Sequence, residues 1–273
     1  MGFLQRLSAA WRRNDSLLCV GLDPEPERIP RHLRDRSDAI FQFCSRIVDT
    51  TADLVCAFKP QIAHFAANRA EAQLEDLIAH IHRRHPDIPV ILDAKRGDIG
   101  STASHYMHEA FDRYGADAVT LNPYLGGDAL EPFLERRERG VILLCRTSNP
   151  GARDVQDLPV EGRPLYLHIA EQACRRWNRH GNCALVVGAT YPDELARVRG
   201  TVGSMPLLVP GIGAQGGDIE AVVRNGCDDH QEGLIISSSR AVLYASDGED
   251  FAAAARTIAL RTREAINAAR REC

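Results

Sequence analysis

The sequence has 273 residues, 44% hydrophobic and 26% charged, with 33 Lys plus Arg against 37 Asp plus Glu for a net charge of −4. That apolar content can bury a large core and excludes an intrinsically disordered chain. The slight acidity removes any global electrostatic reason to bind nucleic acid or an anionic membrane, although a local basic pocket for a small anion stays open.

Residues 1–14 read as an extra N-terminal helix. Their apolar stretch is too short for a secretory signal, and Arg12 and Arg13 lie on its wrong side. No apolar run approaches the ~18 residues of a membrane span. From there, short β-rich apolar runs recur at 17–22, 54–58, 90–92, 118–121, 141–145, 184–187, 207–209 and 234–236. Both faces of each run are apolar, which predicts fully buried parallel strands. Helical spacing fills the intervals at 37–51, 70–85, 102–114, 127–136, 165–180, 193–199, 218–225 and 250–270. Asp193 and Asp218 suit helix starts, and Gly115, Gly181, Gly200 and Gly226 suit helix ends. Eight β-then-α units predict an α/β protein, a (β/α)8 TIM barrel in one domain over residues 1–273, its floor capped by the extra helix. An open doubly wound sheet is the rival.

The eight cysteines show no CxxC spacing. Cys19, Cys56, Cys145 and Cys183 stand inside apolar runs and read as buried hydrophobes of a reducing, cytoplasmic protein. His80, His82 and His85 crowd a basic helix end. They read as a solvated face beside a helix C-terminus, not as metal ligands.

In such a barrel, chemistry sits at the C-terminal ends of the strands. Asp23 follows the first run, Lys59 the second, and Asp93 and Lys95 the third. Two residues apart on a strand, Asp93 and Lys95 share a face. Together these residues assemble alternating charges in a partly desolvated cup, where each charge needs a partner. The plainer alternative is an ion-pair network that only holds the barrel together. The glycine-rich stretch 211–217 follows the seventh run and Arg240 the eighth, where this fold commonly binds phosphate through backbone N–H groups and a guanidinium. Gly211, Gly213 and Gly216 match the GxGxxG spacing, but no acidic ribose partner follows, so a dinucleotide site is not indicated.

The ordered set Leu22-Asp23-Pro24, Phe58-Lys59-Pro60, Asp93-x-Lys95-x-x-Asp98-Ile99, Asn122-Pro123-Tyr124, Thr147-Ser148-Asn149, Pro210-Gly211-Ile212-Gly213-Ala214-Gln215 and Ser238-Ser239-Arg240 resembles the orotidine 5′-phosphate decarboxylase family, in its longer bacterial-type branch. The resemblance implies a homodimeric barrel that uses no metal or organic cofactor and converts orotidine 5′-phosphate to UMP. It implies a catalytic array of Lys59, Asp93, Lys95 and Asp98, with Asp98, Ile99 and Thr102 supplied across the dimer interface. It implies Asp23 and Lys59 at the ribose hydroxyls, Ser148 at the pyrimidine edge and Pro210 beside the base. Gln215 and Arg240 would hold the phosphate. Ser239 departs from the Gly found in some relatives, and the polar stretch 228–231 reads as a loop variation. Three other readings stay open: a Schiff-base lysine enzyme, a metal-dependent sugar-phosphate decarboxylase, and an inactive phosphate-ligand sensor.

Overall fold

The computed structural model describes residues 1–212 and 218–272 of the chain. The eight strands of the main sheet among the described residues are β1 (Leu18–Leu22), β2 (Ala57–Pro60), β3 (Ile91–Arg96), β4 (Ala118–Leu121), β5 (Gly140–Arg146), β6 (Cys183–Val187), β7 (Leu207–Pro210) and β8 (Leu234–Ser238); Pro159–Val160 and Arg163–Pro164 form a separate short ribbon. They pair in parallel in the order β2-β1-β8-β7-β6-β5-β4-β3. Bridges from Phe58 to Val90 and from Gln61 to Asp93 join the two ends of that series. The sheet is therefore a closed (β/α)8 barrel; an open doubly wound sheet would keep two free edges.

Each strand overlaps one expected run. The second starts late, because Ala52–Leu54 forms a 3₁₀ turn. β3, β5 and β8 run further than their apolar cores and finish on polar residues, and β2 carries Lys59 just before its last residue, Pro60. Apolar layers fill the interior below, while the mouth admits side chains that pair with one another.

The principal helices are α1 (Phe3–Arg13), α2 (Ala39–Thr51), α3 (Glu71–Arg84), α4 (Gly100–His108), α5 (Gly127–Leu134), α6 (Leu165–Gln172), α7 (Pro192–Val202), α8 (Ile219–Gly226) and α9 (Phe251–Arg271). α4 and α6 run on into π-helical turns, Glu109–Arg113 and Ala173–Trp177. α1 buries Phe3, Leu7 and Ala10. Its Arg6 pairs with Asp117 just ahead of β4, and Phe3 packs where a Cβ on Gly140 would stand. α1 thus lies across the N-terminal ends of β4 and β5, opposite the mouth.

Asp218 caps α8 as expected, accepting from the N–H groups of Glu220 and Ala221. Gly115 and Gly181 have φ of 68° and 66°, the left-handed values that follow helices. Two expected boundaries move. α7 begins at Pro192, so Asp193 sits in the first turn, not at the cap. It runs through Gly200 and ends at Gly203, whose φ is 59°. A helix tolerates an interior glycine at about 1 kcal/mol, and the stop needs the left-handed residue.

Cys19, Cys56, Cys145 and Cys183 are buried, in line with their reading as hydrophobes. The three histidines are not a simple solvated face. His80 and His85 bond the same Asp49 oxygen at 2.9 and 2.8 Å, and His82 bonds Asp117 at 3.0 Å. Those carboxylates lie 31 or more residues away in sequence, so periodicity on α3 alone could not reveal them.

Candidate active site

The charges expected at the first three strand ends meet at the mouth. Lys59 Nζ donates to Asp93 Oδ2 at 3.0 Å, and Lys95 Nζ donates to Asp93 Oδ1 at 2.6 Å. One carboxylate therefore bridges two ammonium groups. Asp23, just past β1, stands 4.0 Å from Lys59 Nζ. Its Oδ1 is buried without a hydrogen-bond partner among the described residues.

Burial differs across this array. The side chains of Lys59 and Asp93 are 6% and 10% exposed, while that of Lys95 is 45% exposed. Burial alone would push Lys59 toward the neutral amine. The carboxylates of Asp93 and Asp23 outweigh it and hold Lys59 above the usual lysine range. Burial likewise works against ionised Asp93, yet Lys59 and then Lys95 hold its carboxyl well below the usual carboxylate range. Beneath them, desolvation pushes the Cys19 thiol up to about 12, so it stays uncharged at neutral pH.

Asp93 and Lys95 do meet, though not by plain alternation along a regular strand. β3 shifts register against β4 between Leu92 and Arg96, and Lys95 has a φ of 47°. Asp93 points inward and Lys95 lies along the rim, reaching back to the carboxylate. A purely structural network would close on itself. Here the rim ammonium is accessible and a buried oxygen of Asp23 lacks a donor.

A cavity of about 170 Å³ opens beside the array. Asp23, Lys59 and Asp93 line one side; Pro210, Ser237 and Arg240 line another. Arg240 opens a short helical turn after β8 and is exposed. Gln215 lies outside the described residues. Ser148 follows β5 and is half-buried against Gly188. Below it, Arg146 is 1% exposed, pairs with Asp157 at 3.0 Å and lies over the Tyr191 ring.

The loop after β3 leaves the mouth. Asp98 accepts from the N–H of Ile99 at 2.8 Å, and no described ion pair joins it to Lys95 of the same chain. Ile99 and Thr102 are exposed. So are Tyr124 and Leu125 in the loop after β4, at 79% and 44%. The two loops adjoin, because Gly97 lies against Asn122.

Several supporting residues carry no local sequence signal. The Tyr244 hydroxyl donates to the Asp23 carbonyl at 3.2 Å and accepts from the Glu25 N–H at 2.6 Å, fixing the loop after β1 from 221 residues away. A Cβ on Gly21 would overlap Ser239 Oγ, so Gly21 makes the room that Ser239 uses beside Arg240. A Cβ on Gly188 would come within 2.8 Å of the Ser148 backbone nitrogen. The stretch 228–231 is a loop as read: Asp228 Oδ1 accepts from the N–H groups of His230 and Glu232.

Comparison with known proteins identifies relatives along the whole barrel. Residues 16–257 match the model of the family described as orotidine 5′-phosphate decarboxylase / HUMPS. An orotidine 5′-phosphate decarboxylase of Azoarcus sp. is 65% identical over 270 residues, covering 99% of this chain and 100% of that protein. One of Cupriavidus taiwanensis is 65% identical over 267 residues, covering 98% of each. The structure of Leishmania donovani OMP decarboxylase superposes with a TM-score of 0.86 at 39% identity, covering 99% of both chains.

Proposed function

The chain belongs to the orotidine 5′-phosphate decarboxylase / HUMPS family and is an enzyme that decarboxylates orotidine 5′-phosphate to UMP in pyrimidine biosynthesis; from that premise we propose how its residues divide the reaction. The bond from C6 to the carboxylate breaks, CO2 departs, and the electron pair stays on C6. Lys95 then donates a proton from Nζ to C6, and solvent restores the ammonium. A vinyl carbanion has no adjacent electron sink, so a fixed positive charge in a partly desolvated cup supplies most of the stabilisation.

The observation that carries this reading is the Lys59–Asp93–Lys95 bridge at the mouth. Asp93 bonds the amines of both lysines as ion pairs, an arrangement that suits a proton donor and disfavours a Schiff-base nucleophile, whose amine must be neutral. Asp93 also faces the position of the departing carboxylate, and Asp98 of a second copy completes the array. Asp23, with its unpartnered oxygen, accepts from the ribose hydroxyls beside Lys59. Ser148 reads the pyrimidine edge and Pro210 packs near the base. Arg240 and Gln215 hold the phosphate, whose binding positions the ring. No metal or organic cofactor takes part in this scheme, since side chains supply every charge it uses.

The exposed Ile99, Thr102, Tyr124 and Leu125 support a homodimer in which Asp98, Ile99 and Thr102 reach the neighbouring site. No helix among the described residues is long and apolar enough to cross a membrane. We assign the enzyme to the cytoplasm, where its buried thiols stay reduced.

The test is turnover of orotidine 5′-phosphate in chelator-treated buffer by the wild type and Lys95→Ala. UMP and CO2 formation by the wild type, lost in the variant with UMP binding retained, is the expected result. Near-normal turnover by Lys95→Ala would remove the proton-donor role.

A further inference from the structure

β3 is irregular where its two charged residues stand. Its register against β4 shifts between Leu92 and Arg96, and Lys95 takes a φ of 47°. Left-handed backbone is unfavourable for a residue with a Cβ, and a strand irregularity takes ladder partners from the N–H groups inside it. Something must compensate both.

Thr120, on β4, does so. Its Oγ1 accepts from the backbone N–H of Ala94 at 3.0 Å and of Lys95 at 2.9 Å. The same hydroxyl donates to Asp93 Oδ1 at 2.9 Å. Thr120 is 1% exposed, so water does not offer these bonds in its place. Both backbone groups can only donate, and the hydroxyl has one proton, so that proton goes to the carboxylate. The oxygen it reaches is the one that also accepts from Lys95 Nζ. Valine has the same shape and would fill the same volume. It would leave two backbone N–H groups without their side-chain acceptor and the carboxylate short of a donor.

We infer that Thr120 is a positioning residue for the decarboxylation: its hydroxyl holds the left-handed backbone at Lys95 and the Asp93 carboxylate in one arrangement, so that the ammonium is presented to the ring at a fixed place. The inference rests on the reaction proposed above. Misplacement by a fraction of an ångström at the proton donor costs the chemical step far more than it costs binding of phosphate and base, which other strands supply.

The test compares Thr120→Val with Thr120→Ser. The valine variant is expected to lower kcat by about 10²-fold while its Kd for UMP stays within ~3-fold of wild type, and the serine variant to keep kcat within ~3-fold. A valine variant with wild-type kcat overturns the inference, and so does a serine variant as impaired as the valine one. If Thr120→Val does not fold, Thr120→Ala takes its place as a second hydroxyl-free variant, read the same way. A crystal structure of the hydroxyl-free variant supplies a readout without substrate. Lys95 is expected to leave the left-handed region or draw its Nζ away from Asp93; unchanged geometry overturns the inference. Absence of turnover in the wild type would instead overturn the reaction, and the crystallographic comparison would still decide the role of Thr120.

Discussion

Lys59 and Asp93 are bonded at 3.0 Å across the seam where the barrel closes. β2 and β3 are the two ends of the strand series, bridged through Phe58 with Val90 and Gln61 with Asp93. The pair is buried on both sides, so it tethers the seam as well as serving the site. A lone buried charge here would be costly, and each residue depends on the other for its ionised state.

That dependence sets a pH profile of stability. Asp93 has its carboxyl depressed in the folded state, so its contribution is complete above the unfolded value of about 3.9 and is lost as pH falls toward the folded one. Lys59 is raised, so its contribution is complete below about 10.4 and is lost as pH rises through the folded value. Both describe one interaction and are counted once. Urea melts of the wild type should show a plateau between these limits. Asp93→Ala should lower stability at pH 7 by about 3 kcal/mol, because it strands a buried ammonium, and should flatten the acid limb. An acid limb as steep as the wild type's would contradict the assignment.

Arg240 is exposed at the cavity edge and contributes little to folding. Arg240→Ala should weaken UMP binding by roughly 10²-fold, the loss of a charge-assisted phosphate contact, while uridine binding and the melting temperature change little. Calorimetric titration with both ligands separates a phosphate contact from a general one. Equal losses for UMP and uridine would place the phosphate elsewhere.

If Asp98 acts across a dimer interface, two dead chains can repair each other. Lys95→Ala and Asp98→Ala are each expected to be inactive alone. Mixed equally under subunit exchange, half the dimers are mixed and each holds one intact site, so about a quarter of wild-type activity should return. Labelled subunits report exchange independently. No recovery despite exchange would show that Asp98 serves its own chain.

Gly188 has no room for a side chain beside Ser148. If Ser148 reads the ring edge and not the reacting carbon, as proposed, Gly188→Ala should push the Ser148 backbone aside and raise KM for orotidine 5′-phosphate about 10-fold, with a smaller effect on kcat. An unchanged KM would mean that Ser148 does not read the base.

The barrel itself was legible in the sequence. Buried parallel strands are apolar on both faces, and eight such runs with helical spacing between them leave little choice of fold. Lys59, Asp93 and Lys95 stood out for a related reason: a charge directly after such a run must lie at a strand end. Periodicity is a local property, spanning two to four residues, and it says nothing about partners on other strands. Only the packing of elements apart in sequence brought Tyr244 to Asp23, Gly21 to Ser239, Gly188 to Ser148 and Asp49 to His80 and His85. Thr120 shows the limit most plainly. In the run 118–121 it reads as one more β-branched strand residue, yet its hydroxyl is what the broken ladder of β3 requires. Chain order decided which side chains could reach the mouth, and the packing of distant strands decided which of them are held there.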